Sequence, residues 1–167
     1  MSQTVEIGAY VLYGKMGVCL VQEQKAIAMG RETAQYYVLC PVSDGRSSVF
    51  VPCGNETLVA RMSPLMTKEE IDALLSVADT EKLEWIDDRT ARIAFYRSVL
   101  NSGDRRMLIR LICCLFRKKH ERVEQGKHLS GMDDATLQEC MRLIDEEFSM
   151  VLGIPHSQVM DYILSRL

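Results

Sequence analysis

Residues 36–52 read YYVLCPVSDGRSSVFVP. Tyr36 to Cys40 and Ser48 to Val51 are rich in aromatic and β-branched residues, each run is stopped by a proline, and Ser43-Asp44-Gly45 supplies a turn between them. That pattern predicts two short antiparallel strands. Toward the N-terminus, Tyr10-Val11-Leu12-Tyr13 is closed by Gly14 and Gly17, and Val18 to Gln24 runs toward a turn around Gly30. Short β-prone runs at this spacing predict a small antiparallel sheet or barrel, and about 60 residues suffice for a five-stranded SH3-like barrel with a small core.

From Ser63 the apolar period becomes helical. Thr67-Lys68-Glu69-Glu70 has the spacing of a capping box and opens a helix to about Ala78. Asp87 or Asp88 caps a second helix to Asn101, and Asp104 a third from about Arg105 to Glu124. Asp133 or Asp134 begins a fourth that reaches Leu152, where Gly153 is a natural stop, and Pro155 suits the first turn of a last helix to about Ser165. The expected architecture is α+β: an SH3-like (Tudor-like) β barrel at 1–62, then an all-α domain of five helices at 63–167.

Composition narrows the function. Of 167 residues, 47% are hydrophobic and 26% charged, which suits a soluble globular chain rather than a disordered or collagen-like one. The most apolar run, Met107 to Phe116, contains Arg110 and is far shorter than the roughly 20 residues of a membrane span. No secretory signal is visible in the first ten residues, and the six cysteines form no C-x-x-C pair, so they read as reduced thiols of a cytoplasmic protein. The spacing of Cys113, Cys114, His120, His128 and Cys140 is not that of a zinc site. Phosphate-loop, G-x-S-x-G and H-E-x-x-H motifs are absent. Neither cofactor nor metal is expected. An enzyme is not expected either, and the Cys113-Cys114 thiols are what a rival enzymatic reading would use. The adjacent acids Asp87-Asp88, Asp133-Asp134 and Glu146-Glu147 diverge on a helix and suit capping and solubility.

The net charge of −3 is unevenly spread. Residues 1–62 are neutral, 63–103 carry −3, 104–128 carry +5 and 129–167 carry −5. The whole chain is a poor autonomous nucleic-acid binder, yet the +5 block can form a local patch. In it Leu108, Leu111, Ile112, Leu115 and Phe116 share a broad core face, while Arg106, Arg110 and Arg117 fall opposite, within about 40° of one another. Trp85, Arg89, Arg92 and Tyr96 form one stripe at i, i+4, i+7 and i+11 if the second helix begins early. Such a stripe suits a minor-groove edge, and equally a rim around a helical core.

The chain resembles the CarD/CdnL family of bacterial RNA polymerase-binding transcription regulators. The resemblance rests on Ile7-Gly8-x-x-Val11-x-Tyr13-x-x-x-Gly17, Tyr36-Tyr37-Val38-Leu39, Val49-Phe50-Val51-Pro52 and Leu58-Val59-Ala60-Arg61-Met62. In the second half it rests on Trp85, Ser102-Gly103-Asp104, Leu111 to Phe116 and Glu146-Glu147-Phe148. It implies a non-enzymatic regulator of transcription initiation whose barrel docks on the polymerase β subunit by strand addition. It further implies a helical domain at the upstream edge of the promoter bubble, where a tryptophan enters the minor groove and basic side chains hold phosphates.

Carried to this sequence, the polymerase contacts fall on Ile27, Met29, Arg31, Ser48 and Phe50. The DNA contacts fall on Trp85, Arg89, Arg92, Arg106, Arg110 and Arg117. Asp87 and Asp88 follow the tryptophan where many members have a basic stretch, so the alternative is a polymerase-bound adaptor without DNA contact. A monomer without membrane association is expected.

Overall fold

The computed structural model describes residues 5–78 and 82–167. The chain is α+β, an antiparallel five-stranded sheet followed by helices, and it divides into compact units Met1–Leu65 and Met66–Leu167.

The first unit contains β1 (Tyr10–Tyr13), β2 (Val18–Met29), β3 (Glu32–Pro41), β4 (Val49–Pro52), the short helix α1 (Glu56–Ala60) and β5 (Met62–Pro64). The strand order is β4-β3-β2-β1-β5, with each neighbouring pair antiparallel. Alternation fixes the inner face: Val11, Cys19, Val21, Leu39 and Val51 are buried, and Val59 of α1 and Met62 of β5 complete the core. Sequence periodicity did not reveal α1, which is only five residues long and is capped by Asn55, whose side chain accepts from the Leu58 N–H at 3.1 Å. The expected boundary after residue 62 falls inside β5, because Leu12 and Val11 of β1 still pair with Ser63 and Pro64.

β2 runs five residues beyond the expected end at Gln24. A bulge between Val21 and Glu23 re-aims the strand, and past it β2 and β3 pair from Glu23↔Val38 to Met29↔Glu32. The turn is Gly30-Arg31, with Gly30 at a φ of 69° that a glycine takes without strain. Nearly all of residues 22–35 are exposed, so this arm stands clear of the core.

The second unit comprises α2 (Lys68–Ala78), α3 (Arg89–Ser102), α4 (Arg105–Glu124), α5 (Gly131–Leu152) and α6 (His156–Leu164). Polar caps set the starts. Thr67 Oγ1 accepts from Glu70 N–H at 3.1 Å, Asp88 from Ala91 N–H at 2.8 Å and Asp104 from Met107 N–H at 3.2 Å. α5 starts earlier than its acidic pair suggests, because Ser130 is the cap: its Oγ accepts from Asp133 N–H at 3.2 Å and donates to the Asp133 carboxylate at 2.6 Å. Ile71, Leu75, Tyr96, Leu108, Leu111, Leu115, Leu137, Leu143 and Phe148 lie in one core. Phe116, expected in it, is instead 37% exposed, and Ile109 and Cys114 are buried in its place. The buried arc of α4 is therefore rotated away from Phe116.

The acidic pairs also behave differently from the expectation of capping and solubility. Glu147 is completely buried, and Asp133 is 3% exposed. Each holds an arginine, Glu147 taking the half-buried Arg105 and Asp133 the buried Arg92.

Asp145 of α5 makes a pH-dependent contribution. Its Oδ1 is buried with no hydrogen-bond partner among the described residues, and burial pushes its carboxyl up to about 6, with His156 pulling the other way. The folded protein disfavours the ionised form, so this group's stabilisation is full below the ordinary carboxylate value and is lost as pH rises through about 6. Because the group is only half-buried, Asp145→Asn is expected to stabilise the protein by about 1–2 kcal/mol at pH 7.5 and hardly at all near pH ~3.5. Urea midpoints at the two pH values check this, and equal gains at both would show that burial of the charge is not the cause.

Candidate functional site

In the first unit the residues expected to meet polymerase fall in two places. Phe50 sits on β4, the edge strand, opposite Val38 of β3. Val51 points into the core while Phe50 stands 49% exposed. Ser48 is exposed and precedes the strand, since pairing begins at Val49↔Leu39. Ile27, Met29 and Arg31 lie at the far end of the β2–β3 arm. Ile27 is half-buried, Met29 is 68% exposed and meets the Tyr36 hydroxyl at 3.4 Å, and Arg31 is in the turn. Ile27 pairs with Ala34, four residues along β3 from Val38, and Met29 with Glu32, six residues along, so the arm tip lies roughly 20 Å from Phe50 along the sheet. The five residues therefore do not form one patch.

In the second unit the expected stripe Trp85-Arg89-Arg92-Tyr96 does not form. α3 begins only at Arg89, because Asp88 caps it, so Trp85 lies in the preceding irregular segment. Arg89 is exposed, but Arg92 and Tyr96 are buried. Arg92 is thereby corrected from a surface phosphate contact to an interior residue. Its Nε donates to Asp133 Oδ1 at 2.9 Å, its Nη2 to Asp133 Oδ2 at 3.4 Å, and its Nη1 to the carbonyls of Ile86 and Asp87 at 3.1 and 3.2 Å. The Tyr96 hydroxyl adds a third donor to Asp133 at 2.8 Å.

The electrostatics follow from this pairing. Burial alone would raise the Asp133 carboxyl, but hydrogen bonds from Ser130, Arg92 and Tyr96 and the Arg92 charge hold it below the ordinary value. Burial opposes the charge on Arg92 as well, and the Asp133 partner outweighs it. Tyr96 is pushed strongly upward, first by burial and then by its bond to Asp133. All three groups keep fixed charge states near neutral pH.

Trp85 is half-buried against the helical core. The Arg92 guanidinium lies over its ring at 4.6 Å from the centroid and the Lys118 ammonium at 5.0 Å. Arg117, exposed on α4, donates to the Leu83 carbonyl at 3.0 Å, which brings it beside the same segment. Arg106 is exposed near the start of α4, about 16 Å along the helix from Arg117, and Arg110 is half-buried between them, with Nη1 3.8 Å from Met107 Sδ. The sequence singled out Arg117 but missed Lys118. The +5 charge of its segment was the available signal, and the long-range stacking on Trp85 was not.

Among the described residues, no group of three or more His, Cys, Asp or Glu side chains is placed to hold a metal ion, and no helix is long and apolar enough to cross a membrane. The described structure therefore offers an edge strand with a protruding aromatic, an exposed hairpin arm, and a clamped tryptophan beside basic side chains. These are features of binding surfaces. No curated protein matches the chain. Residues 5–65, nearly the whole of the sheet unit, match the CarD-like/TRCF RID domain. The N-terminal unit is accordingly similar to the CarD-like/TRCF RID domain, a Tudor-like, non-catalytic domain type that points to RNA polymerase interaction.

Proposed function

We propose that the protein is a non-enzymatic regulator of transcription initiation that binds the RNA polymerase β subunit through its sheet unit and contacts promoter DNA through its helical unit, changing open-complex stability. The observation that carries this reading is the RID match over the unit whose β4 edge presents Phe50. An edge strand has unpaired backbone groups, and strand addition satisfies them while the exposed aromatic fills a pocket on the partner.

For DNA, the support is the set Trp85, Arg89, Arg106, Arg117 and Lys118, with Arg110 half-buried among them. A tryptophan flanked by cations suits the minor groove at the upstream edge of a bubble, with the cations on phosphates. The protein acts by binding the open complex better than the closed one, and a tenfold preference shifts that equilibrium by about 1.4 kcal/mol. With a net charge of −3, free protein binds DNA weakly, and tethering to polymerase supplies the effective concentration.

The second reading, a polymerase-bound adaptor without DNA contact, is favoured by Asp87 and Asp88, both exposed beside Trp85 and repulsive to phosphate. One pair of measurements tests both. Full-length protein should retain polymerase β subunit in a pull-down, and should lengthen open-complex lifetime on a promoter in a salt-dependent way. No retention of the β subunit overturns the proposal. Retention with an unchanged lifetime at low and high salt selects the adaptor.

A further inference from the structure

Residues 82–87 form neither helix nor strand, so their carbonyls have no ladder to satisfy them. Two arginines take that role. Arg117 binds the Leu83 carbonyl, and Arg92 Nη1 binds those of Ile86 and Asp87. The same Arg92 guanidinium lies over the Trp85 ring, and its other two nitrogens grip Asp133 on α5. One side chain thus holds two backbone atoms and the ring of the tryptophan segment and ties them to a different helix.

We infer that Arg92 and Asp133 are positioning residues for Trp85: they form a clamp through which α5 fixes the indole before DNA arrives. The inference rests on the proposed DNA role of Trp85 and gives that role its mechanical base. A side chain that must enter a groove binds better when its approach is already ordered, since ordering it on binding otherwise costs conformational entropy. The flat, forked guanidinium suits the task. It can pair bidentately with a carboxylate, donate to carbonyls and stack on an aromatic at once, which a lysine ammonium cannot. Asp133 is held in turn by Ser130 and Tyr96, so the anchor stays in place when the guanidinium is changed.

Trp85 is the sole tryptophan, so intrinsic fluorescence reads its seat directly. In the full chain, Arg92→Lys should red-shift the emission and raise acrylamide quenching while far-UV circular dichroism stays unchanged. With polymerase present, the same variant should reduce the protein's effect on open-complex lifetime by roughly two- to tenfold, the cost of re-ordering one or two side chains. In a Trp85→Ala background Arg92→Lys should add nothing further, because both act through one ring. Asp133→Asn, which removes the charge and keeps the size, should move emission the same way, and it decides the matter if Arg92→Lys fails to fold. Unchanged emission and quenching in the folded variant overturn the clamp itself. A shifted emission with no lifetime effect from Trp85→Ala overturns instead the DNA role, and with it the clamp's purpose.

Discussion

Arg105→Ala is expected to lower the unfolding free energy of the helical unit by about 3–5 kcal/mol. Glu147, in the C-terminal half of α5, is fully buried. Arg105 meets it with two parallel hydrogen bonds, Nε to Oε1 and Nη2 to Oε2, both at 2.8 Å. The Met66 N–H adds a third at 2.9 Å, and Arg105 Nη1 reaches the Gly103 carbonyl at 3.2 Å. The pair ties the first turn of α4 to the core of α5. Truncating the arginine leaves a carboxylate out of water without its cation, and that uncompensated charge is the source of the loss. Urea unfolding followed by Trp85 fluorescence measures it. Arg106→Ala, one residue on and exposed, is expected to cost under roughly 0.5 kcal/mol. The double replacement Arg105→Met with Glu147→Leu should recover most of the loss, since it removes both charges together. Equal midpoints for Arg105→Ala and Arg106→Ala would show that the pair contributes little.

The contrast between Arg105 and Arg106 also shows what a sequence can and cannot display. Helix extents were legible because their signals are local. Asp104 caps α4 at the expected place, and Arg105–Glu124 matches the expected range. The β runs were legible for the same reason, through Pro41, Pro52 and the glycine turns. Pairings such as Arg105 with Glu147 or Arg92 with Asp133 join residues about 40 positions apart, and no window of sequence contains both partners. Charge counting therefore placed all the arginines of 104–128 in one basic block, although Arg105 is committed to a buried carboxylate.

The candidate site was legible in part for similar reasons. Periodicity could put Arg92 on a line with Trp85, but it carries no information about where the helix begins. Asp88 capping α3 removes Trp85 from the helix and turns Arg92 inward. Phe50 is the opposite case. The resemblance put Phe50 at the polymerase contact, and the structure adds that it stands exposed on β4, an edge strand. The length of the β2–β3 arm was hidden because its residues past the bulge face no core, so they lack the apolar alternation that marks a strand.

Phe50→Asp is expected to weaken binding to the polymerase β subunit by about 30-fold or more while leaving the fold intact. The size follows from the usual share of a central aromatic in an interface, about 2 kcal/mol or more. A partner strand laid along β4 would place its side chains beside Phe50, and the substitution would bury a carboxylate there without a partner. The fold should tolerate the change because the ring is half exposed and the core-facing residue of the strand is Val51. Met29→Ala supplies the comparison. Its side chain is more exposed still, yet it lies at the arm tip, roughly 20 Å along the sheet from Phe50. If β4 is the docking edge, Met29→Ala should change affinity by less than about threefold, as a rim contact does. Titrations of labelled protein with the β subunit distinguish the two, with circular dichroism to confirm that each variant is folded. A large loss from Met29→Ala with none from Phe50→Asp would move the interface to the hairpin arm. Strand addition at β4 would then be the wrong mode, and docking would run through the side chains of Ile27, Met29 and Arg31.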